Sequence, residues 1–186
     1  MTPSSRDIIT WEVGNMRDPR IEELADRLVS HSVEVQPGEN VLIEAIDGGR
    51  ELAKALVEAV ARRGGRPFVS LVDRSVQRAL LRHATREQLE EWAAFDLERM
   101  RRMQGYIGIR AGDNISELAD VPDENMRLYE RVYTRPVHLE QRVKRTKWVV
   151  LRWPTASMAQ LAGMSTEAFE DFYFRVCNLD YAKMDR

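Results

Sequence analysis

Apolar and polar residues alternate along this chain in two rhythms, and the switches between them outline its elements. Ile21, Leu24, Ala25, Leu28 and Val29 repeat at the i, i+3, i+4 spacing of one buried helical face. The run opens at Asp18-Pro19, where aspartate can cap a helix and proline suits its first turn. Gln36-Pro37-Gly38-Glu39 predicts a turn. Val41-Leu42-Ile43-Glu44-Ala45-Ile46 is nearly continuous in apolar residues, the pattern of a strand covered on both faces. After Asp47-Gly48-Gly49, the residues Leu52, Ala53, Leu56, Val57 and Val60 return to the helical rhythm. Arg62-Arg63-Gly64-Gly65 ends that helix with positive charge at its negative pole and glycine just beyond. A second strand is predicted over 67–72. Strand, helix and strand follow within about thirty residues, the length of a parallel crossover unit.

Helical segments come next over 75–83 and 86–103, the second opened by Thr85 and Gln88 at capping-box spacing. Gly105-Tyr106-Ile107-Gly108-Ile109-Arg110 predicts a third strand, and Ala111-Gly112-Asp113-Asn114 a polar turn. Residues 124–145 are helical in pattern. A break or kink is expected near Thr134-Arg135-Pro136, because proline lacks the amide donor and crowds the preceding turn. Lys147-Trp148-Val149-Val150-Leu151-Arg152 predicts a fourth strand and 156–162 a short helix stopped by Gly163. Ser165 or Thr166 then caps a last helix reaching toward Asp180. Strands alternating with helices predict an α/β fold: an open, mostly parallel sheet with helices on both faces, in Rossmann-like layers. With no repeat or interior linker, 18–186 is expected to form one domain behind an N-terminal extension over 1–17. The stop at Lys183-Met184-Asp185-Arg186, directly after a helix, reads as a cut rather than an ending.

Composition removes several function classes. The 186 residues are 44% hydrophobic and 31% charged, with a formal net charge of −2. That balance lacks the basic stripe of a nucleic-acid binder. The single cysteine, Cys177, excludes a disulfide framework and thiolate zinc sites within the chain. No apolar run approaches the roughly 20 residues that cross a bilayer, and the N-terminus has no secretory apolar stretch. A cytoplasmic protein without membrane or nucleic-acid partners is expected.

Candidate chemistry is sparse. Asp47-Gly48-Gly49-Arg50 lies between a strand and a helix, where backbone amides can hold an anion, but the G-x-G-x-x-G and G-x-x-x-x-G-K-[ST] spacings are missing. A structural turn is the better reading. His31, His83 and His138 have no second histidine or cysteine at metal-ligand spacing. Glu90, Glu91, Glu167, Glu170 and Asp171 lie on amphipathic helices as solvated or dipole-facing carboxylates. Cys177 sits among Phe169, Phe172, Tyr173 and Phe174 and reads as a small hydrophobe. The residues therefore give no catalytic, cofactor-binding or metal-ligating set. Trp153, Pro154 and Met158, at a strand end followed by small residues, are the candidates for a cavity wall or domain interface.

The same region carries a resemblance. Trp153-Pro154-Thr155, then Ala159-Gln160-Leu161-Ala162-Gly163-Met164-Ser165, Glu167, Phe169-Glu170-Asp171 and Asp180-Tyr181, resembles the middle of the thermophilic-type metallo-aminopeptidases, the aminopeptidase T and S group. Ala25-Asp26-Arg27-Leu28-Val29 and 35–43 resemble that family's opening helix and first strand, and Arg63-Gly64-Gly65-Arg66-Pro67 its second turn. The resemblance runs from about Met16 to Met184. It implies an N-terminal, non-catalytic α/β domain beside a catalytic half that releases N-terminal residues from peptides. Two divalent ions of zinc or cobalt type are implied for that half, with ligands that no position here matches. A homodimer is also implied. The alternatives are an independent α/β binding module without peptidase activity, and a small α/β enzyme with its own ligand near Gly48 and Pro154.

Overall fold

A computed structural model describes residues 18–179. The Asp18 carboxylate accepts the Arg20 amide at 2.9 Å and so starts α1 (Pro19–Arg27), which continues as a π-helical turn, Leu28–Ser32. The chain then forms β1 (Asn40–Ile46), α2 (Arg50–Arg62), β2 (Arg66–Val72), α3 (Arg74–His83), α4 (Arg86–Arg101) and β3 (Gly105–Arg110). It goes on through α5 (Asp123–Tyr129), a π-helical stretch Glu130–Arg142, the short α6 (Val143–Arg145), β4 (Lys147–Arg152), α7 (Ala156–Leu161) and α8 (Thr166–Cys177). Two caps read from the sequence are in place. The Thr85 hydroxyl accepts the Gln88 amide at 3.3 Å and the Ser165 hydroxyl the Ala168 amide at 3.2 Å.

The four strands form one all-parallel sheet in the order β2-β1-β3-β4, so the open α/β architecture expected from the sequence holds. β1 and β3 have strand neighbours on both sides and helices over both faces, which is why their sequences are nearly continuous in apolar residues. Alternation sends Val41, Ile43 and Ala45 to one face and Leu42 and Glu44 to the other. On the first face they join Leu24, Val29, Leu52, Leu56, Val60 and Phe174 of α1, its π turn, α2 and α8. On the second, Leu42 and Tyr106 meet Ala93 and Met100 of α4 and Tyr133 and Val137 of the π stretch.

Near Pro136, where a break or kink was expected, the chain stays helical but leaves the α-helical ladder for a π-helical one. Pro136 lies inside the helical stretch Glu130–Arg142. The proline conflict belongs to the α-helical turn, where the ring meets the carbonyl four residues back. A π turn shifts the ladder to the fifth residue and relieves that contact. Tyr133 and Val137, both buried, pin the widened turn against the sheet. No described helix is long and apolar enough to cross a membrane.

Leu56 is fully buried between α2 and the first face of the sheet. Leu56→Ala is expected to lower the unfolding free energy by about 2–5 kcal/mol, read from urea denaturation, with the helical circular dichroism of the folded chain kept.

Candidate functional site at the strand ends

Open α/β sheets hold ligands where successive crossovers leave a strand in opposite directions. Here that place is the carboxyl end of β1, between β2 and β3. The two loops that meet there are pressed together. A Cβ on Gly48 would stand 3.0 Å from the Ala111 Cβ. Gly49 has φ +73°, and a Cβ on it would lie 2.6 Å from Ile109 Cγ2, so both its backbone and its space demand glycine. The base of the crevice is therefore filled by the protein itself.

Two shallow hollows remain at the rim. One of about 510 Å³ is lined by Asp47, Gly48, Gly49, Arg50, Leu71 and Asp73. The other, of about 270 Å³, is lined by Asp47, Asp73, Ser75, Asp113, Asn114 and Glu117. The carboxylates already have structural tasks. Asp73 caps α3, accepting the Ser75 and Val76 amides at 2.8 and 3.1 Å, and the Ser75 hydroxyl helps hold it below the usual carboxylate range. Asp47 accepts the Arg74 amide at 2.6 Å, and its second oxygen lies 3.6 Å from the Arg74 guanidinium. A rim of carboxylates repels phosphate, so the Asp47-Gly48-Gly49-Arg50 turn stands as a structural turn.

The second face of the sheet holds a feature that the sequence reading passed over. Glu44, in the middle of β1, is only 8% exposed. The Tyr106 hydroxyl donates to its Oε1 at 2.7 Å, and Arg110 Nη1 donates to the same oxygen at 3.1 Å. Arg110 Nη2 donates to the Tyr106 hydroxyl at 2.9 Å, closing a triangle. Burial, with the Glu44 charge second, pushes the Tyr106 phenol well above its ordinary value. Arg142 lies over the Tyr106 and Trp148 rings, 4.8 and 5.0 Å from their centres, and its Nε donates to His138 Nδ1 at 3.3 Å. Beyond it the Tyr129 and Tyr133 rings stack with Trp92 tilted against both, and the Tyr133 hydroxyl donates to Asp96. The signal was present in the sequence. Tyr106, Gly108 and Arg110 share one face of β3 by period two, and Glu44 is the one charged residue inside an apolar strand.

The residues singled out as a wall occupy a mixed position. Trp153 is half-buried, edge-on to Tyr173 and Phe174 at 6.2 and 6.0 Å, and Pro154 is buried. Met158 is half-buried, and the chain beyond it opens to solvent at Leu161, which is 82% exposed. The histidines stay apart in the fold: His31 on the π turn after α1, His83 at the end of α3, His138 inside the longer π stretch. Cys177 is half-buried, and burial pushes its thiol up, away from nucleophilic use. Among the described residues no three His, Cys, Asp or Glu side chains converge on a point that could hold a metal ion. These residues do not fit a two-metal centre.

His138 connects this network to pH. Burial is the main cause that holds its imidazole below the ordinary value. Arg142 and Arg110 act in the same direction, and Glu44 and Asp96 oppose them. The unfolded chain binds a proton at this residue from about pH 6.5 downward, where the folded chain does not. The stability tied to His138 is thus complete above that pH and is lost as pH falls toward the lower folded value. The urea midpoint is expected to drop less between about pH 7.5 and 5.5 in His138→Gln than in the parent chain. Equal drops would show that the imidazole titrates freely in the folded state.

Comparison with known proteins places the chain. The family model for thermophilic metalloprotease (M29) matches residues 17–184. Comparison with curated proteins finds no match. Among solved structures, wild-type AmpT from Thermus thermophilus superposes with a TM-score of 0.65 at 18% identity, over 86% of this chain and 43% of AmpT. The chain thus spans less than half the length of that protein. A putative LacI-family transcription repressor from Corynebacterium glutamicum reaches a TM-score of 0.31 at 15% identity, over 70% of this chain and 61% of its own. CurK enoyl reductase reaches 0.32 at 15% identity, over 75% and 44%. The last two carry no argument, and AmpT speaks for the fold. The family model covers nearly the whole chain, so this protein belongs to the thermophilic metalloprotease (M29) family.

Proposed function

We propose that this chain is the non-catalytic, N-terminal α/β half of a cytoplasmic, metal-dependent aminopeptidase that releases N-terminal amino acids from peptides. The observation that carries the reading is the family match over 17–184 in a chain that spans 43% of AmpT. Two further observations support it. Metal-assisted peptide hydrolysis needs convergent ligands and an open coordination position, and the described residues bring no such group together. The Glu44, Tyr106 and Arg110 side chains are also turned on one another rather than toward a cavity.

In this reading the zinc- or cobalt-type ions belong to a catalytic half, and this half shapes the approach to them. The segment holding Trp153, Pro154 and Met158 is the wall it would offer. It continues into an outer surface where Leu161, Phe172 and Val176 are 82%, 47% and 45% exposed. Apolar side chains left open in this way suit contact with a further protein surface.

The purified chain, incubated with zinc or cobalt, is expected to release no nitroaniline from aminoacyl-nitroanilides above the metal-only blank. Metal-dependent turnover that follows the protein through purification would overturn the assignment.

A further inference from the structure

Arg142 is held on the second face of the sheet by contacts that leave part of it unpaired. Its guanidinium covers the Tyr106 and Trp148 rings, 4.8 and 5.0 Å from their centres, and Nε donates to His138 Nδ1 at 3.3 Å. Nη1 is buried without a hydrogen bond. A guanidinium with a buried, unsatisfied donor gains hydration when it swings out to water. The way out is short. Arg142 is half-buried and ends the π stretch, where its carbonyl accepts the Thr146 amide and hydroxyl at 3.1 and 2.7 Å. Trp148, whose ring it covers, is 43% exposed. The side chain can therefore leave its place while the backbone around it stays bonded.

One contact decides which place the guanidinium takes. To accept from Arg142, His138 Nδ1 must offer a lone pair, so the imidazole is neutral with its proton on Nε2. A second proton can go only to Nδ1. It turns the acceptor into a donor facing a donor and sets two cations in contact. The groups facing His138 divide by charge. Arg142 and Arg110 of β3 oppose its protonation, whereas Glu44 of β1 and Asp96 of α4 favour it. The Tyr106, Tyr129 and Tyr133 phenols stay neutral, since burial pushes all three well above their ordinary value. Asp96 is fixed by the Tyr133 hydroxyl and by Arg99 at 3.0 Å. Arg110 is tied to Glu44 and Tyr106, so Arg142 is the cation that can leave. We infer that Arg142 is a proton-operated latch: protonation of His138 in the folded chain drives the Arg142 guanidinium off the Tyr106 and Trp148 rings into water, and deprotonation draws it back. What opens is an aromatic face, because Tyr106 and Trp148 lie opposite one another on β3 and β4. The imidazole takes its proton only below about pH 6.5, since burial and the two arginines hold it under the ordinary histidine range. The latch is thus closed at neutral pH and opens in mild acid. The inference does not draw on the peptidase reading and survives or fails separately from it.

The test follows the full 186-residue chain from about pH 8 to about pH 5 by nuclear magnetic resonance and tryptophan fluorescence. In the parent chain the Arg142 Nε–H resonance is expected to be displaced by the two rings at neutral pH. It should move to the free-arginine position along the same curve as the His138 ring proton, with helical circular dichroism constant. Acrylamide quenching of Trp148, taken as the difference between the parent and Trp148→Phe, is expected to rise on that curve. His138→Gln keeps an acceptor for Arg142 that does not titrate, and is expected to lose both changes. Coupling between two sites is reciprocal. Arg142→Met, which keeps a chain over the rings without the charge, is therefore expected to move the His138 titration to higher pH. An Arg142 resonance that stays in place while His138 titrates overturns the inference. So does a quenching change retained in His138→Gln, or a His138 titration unmoved in Arg142→Met. Loss of the helical signal before or along the His138 curve overturns it as well, because acid then opens the whole domain rather than one side chain. The parent chain's resonances decide the question even where a variant fails to fold.

Discussion

The arrangement of the second face follows from one buried carboxylate. Glu44 sits on the central strand at 8% exposure, and a charge in that position survives only with partners within hydrogen-bond reach. In register, Glu44 lies opposite Gly108 of β3. A side chain at 108 would meet the Tyr106 ring, since a Cβ there would stand 3.0 Å from Cε1 and 3.2 Å from the hydroxyl. The bare glycine lets the tyrosine lean along the strand, while Arg110 reaches back from the other side. Tyr106, Gly108 and Arg110 are therefore one solution to one problem. The helices above inherit it: Arg142 caps the tyrosine ring, and His138 accepts from Arg142.

The two faces consequently resist different disturbances. The first is an aliphatic core in which Val41, Ile43, Leu52, Leu56 and Val60 are all fully buried, and its stability tracks packed volume. The second is built from aromatic rings, a paired arginine and carboxylate, and hydroxyls. It includes two buried nitrogens, Arg142 Nη1 and Arg99 Nε, without a hydrogen bond. Arg142 is compensated in part by the two rings it covers. Breaking one member of such a network strands the others, so it responds to charge and proton changes more sharply than to the loss of a methyl group.

Much of this was legible along the chain because local and tertiary preferences agree. The strands, the Thr85 and Ser165 caps and the turn at Gly49 each rest on a side chain or backbone constraint visible within a few residues. At Pro136 the local rule locates a disturbance of the α-helical ladder but not its form, a π-helical stretch in which Tyr133 and Val137 are buried. Glu44 was passed over for the opposite reason. Its neighbours in space come from β3, 62 and 66 residues away, and only the register of the sheet brings them together. For the wall at Trp153, Pro154 and Met158, sequence placed a strand end and a turn but could not tell how far the indole folds inward onto α8.

Pro67 bears on more than its own strand. A parallel sheet with two open edges behaves as a monomer with two reactive ends, and such units link without limit. Pro67 stands on the side of β2 turned away from β1, since Arg66 donates to Glu39 and the Val72 carbonyl accepts from Asp47, so a strand arriving there finds one donor missing. A single pyrrolidine ring thus bears on solubility, making that edge a poorer template for unwanted strand pairing.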